Sequence, residues 1–183
     1  MTAENESEGV IEVRIQALAQ LFNSFDPSPF HERDLDDDAE QYIVGWAREL
    51  PEDVKLRLVV YLPKEEAEKA EKRGLDAALS NYFFERAATV DRDLRELFRL
   101  GRRFLIISIP ILVVCLIASQ FARAAFDAGP LASVIAESLI LLGWVANWKP
   151  IEIFLFDWLP LKRRRDLYRR LAAAETEIRV WER

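Results

Sequence analysis

One cysteine and one histidine are all that 183 residues offer of the two side chains most used for metals and nucleophiles. With Cys115 alone, no intramolecular disulfide can close and no thiolate metal site can be assembled. His31 has no second histidine or cysteine with which to form a ligand set, and a catalytic histidine needs a nucleophile partner that the sequence does not supply. It reads as a turn residue following Asp26, Pro27, Ser28 and Pro29. The six glycines make no phosphate-cradling loop, and neither G-x-S-x-G nor H-E-x-x-H occurs. Positive charge is scarce in the first hundred residues, where 23 acidic side chains face 13 basic ones, so no basic stripe exists there for nucleic acid. The N-terminus lacks the basic start and apolar stretch of a secretory signal. The first hundred residues are therefore expected to stay in the cytoplasm, and the length allows one modest soluble domain besides a membrane segment.

Mean hydropathy is near zero, but the average hides two unlike parts. Met1 to Leu100 carries a net charge of −10, and Gly101 to Arg183 carries +4. From Phe104 to Ala122 the sequence FLIISIPILVVCLIASQFA is nineteen residues without a charge, enough at ~1.5 Å per residue to span a hydrocarbon core. Pro110 within it is tolerated better by a membrane helix than by a soluble one. A second run, Leu131 to Trp148, is apolar apart from Ser133, Glu137, Ser138 and Asn147. Asp127, Gly129 and Pro130 mark a tight turn between them, which predicts an antiparallel transmembrane hairpin.

Orientation follows from the cations, which accumulate in cytoplasmic loops. Arg92, Arg95, Arg99, Arg102 and Arg103 precede the first span; Lys149, Lys162, Arg163, Arg164, Arg165, Arg169 and Arg170 follow the second. The turn has only Arg123. Both termini are thus expected in the cytoplasm, with Trp144, Trp148 and Trp158 at the membrane interface. Residues 149–161, IEIFLFDWLP after Pro150 among them, are expected to lie in that interface with Glu152 and Asp157 turned to water. The run Lys162 to Arg165 serves as topology signal and as anchor for anionic headgroups.

In the soluble part, Ile11, Val13, Ile15 and Ala17 alternate with polar residues, as do Val54, Leu56, Leu58 and Val60. Between these two strands Ala39, Tyr42, Ile43, Trp46 and Leu50 share one helical face, closed by Pro51. The pattern predicts a β-α-β unit over residues 10–63, with parallel strands. Residues 64–103 read as a long helix, broken near Gly74 or Gly101, that leads into the hairpin of 104–148 (spans 104–122 and 131–148). Residues 162–183 read as a basic helix and a third strand, Glu177 to Trp181, returning to the sheet. Residues 1–9 read as a disordered acidic tail. The fold class expected is thus an α+β membrane protein: two spans plus a small cytoplasmic β-α-β domain completed by a C-terminal strand.

Three features invite a chemical role. Glu137 is an ionisable group within a span, where such groups face a partner or a cavity. Counting depth along the two helices sets it level with Cys115 to Ser119, so that Ser119 and Gln120 are its expected hydrogen-bond partners in a tie that locks the hairpin; a proton or ion relay, or a ligand contact in an oligomer, is the alternative. Asp34, Asp36, Asp37, Asp38 and Glu40 have the opening spacing of a calcium loop, but Ala39 and Gly45 stand where that loop needs Gly and Glu. Asp34 as N-cap and acids in the first helical turn explain the cluster without metal. Cys115 reads as packing.

The segment GWVANWKPIEIFLFDWLPLKRRRDLYRRL, Gly143 to Leu171, resembles small uncharacterised bacterial inner-membrane proteins in which a Trp-rich helix end leads through a Lys/Arg-Pro step into a basic tail. The resemblance implies a bacterial inner-membrane location and carries no activity. The function expected is a non-enzymatic membrane-anchored interaction or scaffold protein without cofactor, in contact with the bilayer and with itself or another membrane protein. A small oligomeric channel or transporter subunit using Glu137 is the alternative, ahead of an enzyme built on the Asp34 to Glu40 cluster.

Overall fold

The computed structural model describes residues 8–125 and 129–181. The Asp127 of the expected turn and most of the acidic N-terminal tail lie outside the described residues. The chain is a mixed helix and sheet protein with a small parallel three-stranded sheet, and it divides into two units: residues 1–90 with 163–183, and residues 91–162.

In the first unit, Gly9, Ile11 and Val13 face inward from β1 (Glu8–Arg14) while Val10, Glu12 and Arg14 face out. The alternation stops at Arg14: Ile15 still donates its amide to the Tyr61 carbonyl at 3.1 Å, but Ala17 already precedes a 3₁₀ turn, Leu18–Leu21. Strand β2 (Lys55–Leu62) is the centre of the sheet, in the order β1-β2-β3. Leu58, Val59 and Val60 are all buried, as expected of a strand covered on both faces. β1 pairs with it in register Ile11 to Leu58 and Val13 to Val60. The third strand, β3 (Glu175–Val180), begins two residues earlier than the sequence suggested and lies parallel to β2, with Val60 opposite Ile178. Arg57 stands 3.7 Å from Glu175 and 3.9 Å from Glu177 across that pairing.

Helix α1 (Asp37–Glu49) connects β1 to β2. Its N-cap is Asp36, whose side chain accepts the Asp38 amide, and not Asp34. The Asp34 amide donates instead to Asp26 Oδ2 at 2.7 Å. Asp26 also accepts from Ser28, and these bonds hold its carboxyl down at about 2. The buried face of α1 is Glu40, Ile43, Val44 and Ala47, rotated from the expected one: Tyr42 and Trp46 are half exposed, and a glutamate is inside. Helix α2 (Lys64–Arg73) ends at Gly74, whose φ of 67° is the left-handed cap conformation that glycine adopts without strain. This is where the long helix breaks. Gly101 lies within the uninterrupted α3 (Leu75–Ala125).

The second unit contains the C-terminal part of α3, helix α4 (Pro130–Glu152), a π-helical turn (Ile153–Asp157) and the start of α5 (Trp158–Ala172). By length and composition both long helices could cross a membrane. Pro130 sits at the first turn of α4, where its missing N–H costs nothing. Pro150 does not end α4. It only withdraws one amide from the ladder, and the helix continues past it: the Ile153 amide donates to the carbonyls of Lys149 and Pro150 where the π turn begins. The two helices pack antiparallel through small residues. Gly101, Ser108, Cys115 and Ala122 are buried along α3 at intervals of one heptad, and Ala132, Ala136, Gly143 and Asn147 are buried along α4. A Cβ on Gly143 would meet Leu112 Cδ1 at 2.8 Å and Cys115 Cβ at 3.2 Å. One on Gly101 would meet Ile153 Cγ2 at 2.9 Å.

Candidate functional site

The most developed polar site of the first unit gathers around Glu40, the last member of the acidic cluster, through residues that no sequence motif marks. Glu40 is carried into the interior by the first full turn of α1, and two further helices converge on it. Its Oε2 accepts from the Tyr82 hydroxyl at 2.6 Å and from the Arg86 guanidinium at 2.7 Å, both on α3. Its Oε1 accepts from the Tyr168 hydroxyl of α5 at 2.6 Å. Arg86 also donates to the Tyr82 hydroxyl at 2.9 Å and lies over that ring, and Arg164 does the same for Tyr168 at 3.2 Å. Burial pushes the Glu40 carboxyl up, but hydrogen bonds from Tyr168, Tyr82 and Arg86 outweigh it and hold the group below its ordinary value. Burial and the neighbouring carboxylate push both tyrosines up. Glu40 is thus kept ionised with three strong donors on it, which suits a clasp between helices and leaves it poorly placed to abstract a proton. The surrounding ties agree: Ser80 donates to the Ala172 carbonyl at 2.7 Å, and Arg170 of α5 reaches the carbonyls of Pro51 and Val54 at 2.6 and 3.0 Å.

A crevice of about 660 Å³ opens at the carboxyl ends of β1 and β2, beside the first turn of α1. Crevices in that position are where parallel sheets receive ligands. Glu12, Arg14, Asp36, Asp38, Tyr42 and Tyr61 line it. Tyr61 donates to Glu12 at 3.0 Å, Tyr42 donates to the Glu12 carbonyl at 3.2 Å, and Arg14 lies over the Tyr61 ring. The acidic cluster is therefore divided between a cap (Asp36), a crevice wall (Asp36, Asp38) and a buried clasp (Glu40). Among the described residues no group of three or more His, Cys, Asp or Glu could hold a metal ion. His31 lies in the 3₁₀ turn Phe30–Glu32.

In the second unit the expected tie of Glu137 to Ser119 and Gln120 is not formed. Ser119 is buried, but its hydroxyl donates back to the Leu116 carbonyl at 2.7 Å, while Glu137 and Gln120 are exposed. Rotation about the helix decides this: Glu137 stands one residue, or ~100°, past the buried Ala136. Ser108 and Asn147 form the actual tie. Ser108 donates to Asn147 Oδ1 at 2.9 Å, and Asn147 Nδ2 donates to the Ser108 carbonyl at 3.1 Å and the Gly143 carbonyl at 3.0 Å. The side-chain amide thus uses three of its hydrogen-bonding positions inside an apolar pair.

Lys149 spans the π turn, 3.1 Å from both Glu152 and Asp157, so these two acids are half-buried and paired with a cation. Trp144 and Trp148 are exposed, as are Arg102, Arg103, Lys162, Arg163 and Arg164. Trp158 is half-buried, donates to the Phe154 carbonyl at 2.9 Å, packs beside Phe98 and receives Lys162 over its ring. Arg165 pairs with Asp166 at 2.8 Å. What the sequence reading missed was Tyr82, Arg86, Tyr168 and Asn147. The spacing Tyr82 to Arg86 and Arg164 to Tyr168, four residues on a helix in each case, was the available signal.

Comparison of the chain with family models, with curated proteins and with solved structures finds no match to any of them.

Proposed function

We propose that the chain is a membrane-anchored interaction protein without catalytic activity: α3 and α4 cross the bilayer as a hairpin, both termini lie in the cytoplasm, and the α/β unit built around the Glu40 clasp presents its crevice to a partner there. The observation that carries this reading is the inverted polarity of the helix pair. Ser108, Ser119 and Asn147 are buried between or within the helices. Ile106, Ile107, Val114, Phe121, Val134, Leu141 and Val145 are 59–72% exposed. Only 17% and 22% of the most apolar eighteen-residue windows are buried, whereas the core helix of a soluble protein hides most of its apolar side chains. In lipid the same arrangement is favourable, because small residues and interhelical hydrogen bonds associate the helices while the aliphatic side chains dissolve in the acyl chains.

Cations flanking both spans support the orientation, and the Gly143 to Leu171 resemblance supports the bacterial inner membrane as its location. Glu40 gives its oxygens to three donors, and the crevice pairs carboxylates with tyrosines and an arginine, which favours recognition over bond-making. Expression followed by alkaline extraction of membranes tests the anchoring: the protein is expected to stay with the lipid pellet, and its release into the supernatant would remove the basis of the proposal.

A further inference from the structure

Glu137 is left without a partner in its own hairpin among the described residues, and its surroundings point to what covers it. Asn147 faces Ser108, and Gly143 faces Leu112 and Cys115. Carrying that antiparallel register toward the turn brings Glu137 level with residues 118–121, Gln120 among them. Each of the two stands one position past a buried residue, Ala136 before Glu137 and Ser119 before Gln120, so each is turned ~100° from the packed stripe. On antiparallel helices the same offset in sequence rotates in opposite senses when seen from one end. Both side chains therefore leave the hairpin on the same flank, at the same depth. Val113 and Leu116 of α3 and Leu141 and Trp144 of α4 share that flank, all 41–64% exposed.

We infer that this flank is a homodimer interface, in which a second copy, related by a twofold axis along the membrane normal, sets its α3 against α4 of the first. The inference rests on the membrane reading above. A twofold operation preserves depth and exchanges α3 for α4, so the Gln120 amide of each copy donates to the Glu137 carboxyl of the other, twice over. Leu141 and Trp144 of one copy then rest on Leu116 and Val113 of its mate. A carboxyl facing hydrocarbon is costly until it is hydrogen-bonded, and a flank that carries both the acceptor and its donor at one level is complementary to itself.

The test is dimerisation of the full chain in lipid vesicles, measured by energy transfer between labelled copies, after alkaline extraction has established whether the protein is membrane-integrated. Glu137→Gln keeps an acceptor and is expected to dimerise within about twofold of the parent, whereas Glu137→Leu and Gln120→Leu are expected to raise the dissociation constant on the order of tenfold through two lost interhelical hydrogen bonds. In a Cys115→Ala background, co-expressed Val113→Cys and Trp144→Cys chains are expected to cross-link to one another, and the control pair Val114→Cys with Leu142→Cys, on the opposite flank, is not. Release of the protein by alkali overturns the membrane reading and the dimer together. A membrane-integrated monomer, cross-linking confined to the Val114 and Leu142 flank, or a dissociation constant unmoved by both leucine variants overturns the dimer alone.

Discussion

The hydroxyl of Tyr168 donates to Glu40 Oε1 over 2.6 Å, joining residues 128 positions apart in the chain. The C-terminal part of α5 is thus tied to α1 within the first unit through a buried carboxylate.

Removing the Tyr168 hydroxyl by Tyr168→Phe keeps the ring and deletes one hydrogen bond to a charged acceptor. The expected loss is about 1.5–3 kcal/mol of stability in the first unit. Glu40→Gln should cost a comparable amount or more, since it leaves Arg86 without its carboxylate; the loss is moderated because the Arg86 side chain is 42% exposed. Chemical unfolding followed by tyrosine and tryptophan fluorescence checks both. In the double variant the two losses should fall short of adding, because one change removes part of what the other acts on.

The same clasp makes stability depend on pH. The Glu40 carboxyl is held below its ordinary value in the folded state, so its contribution is full above about 4.5 and is lost as pH falls through the depressed folded value. Tyr82 and Tyr168 are raised, so their contribution is full below about 10 and is lost as pH rises through their folded values. Melting temperature measured across pH should therefore decline at both ends. In Glu40→Gln the acid limb should flatten; an unchanged acid limb would show that other carboxylates govern it.

Much of the sheet was legible because strands announce themselves locally: Ile11 and Val13 alternate with Glu12 and Arg14, and Ile178 and Val180 with Glu177 and Arg179. The buried face of α1 was not, because Glu40 reads as one more acid in a first turn until Tyr82, Arg86 and Tyr168 are known to surround it, and sequence spacing does not reveal contacts across 42 to 128 residues. Glu137 drew attention by its charge, but Asn147 makes the interhelical tie, since rotation about the helix, which a depth count ignores, decides who meets whom. The stretch after Pro150 read only as a short interfacial segment, because a π turn, which continues the helix past the missing amide, has no local sequence signature.

Close approach of α3 and α4 depends on Gly143. A methyl group there must displace Leu112 and stands 3.3 Å from its Cα, so Gly143→Ala should cost about 1–3 kcal/mol in detergent-solubilised protein, as overpacking does. Ser108→Ala, which removes one donor from the Asn147 tie, should cost less, about 0.6–1.7 kcal/mol. The reverse order would mean that hydrogen bonding outweighs packing in this pair.

Deleting residues 177–183 takes away most of β3 and leaves one edge of β2 from Val59 onward without its partner. Limited proteolysis should then cut between Ile11 and Leu62 faster than in the full chain. Equal resistance would mean that β1 and β2 hold without the returning strand.

The central claim, a membrane hairpin with both ends on one side, is tested most directly by compartment reporters fused before Met1 and after Arg183 and read in intact cells. The cations at Arg102 and Arg103 and from Lys162 to Arg165 predict a cytoplasmic signal from both fusions. Signals from opposite sides of the membrane would contradict the hairpin.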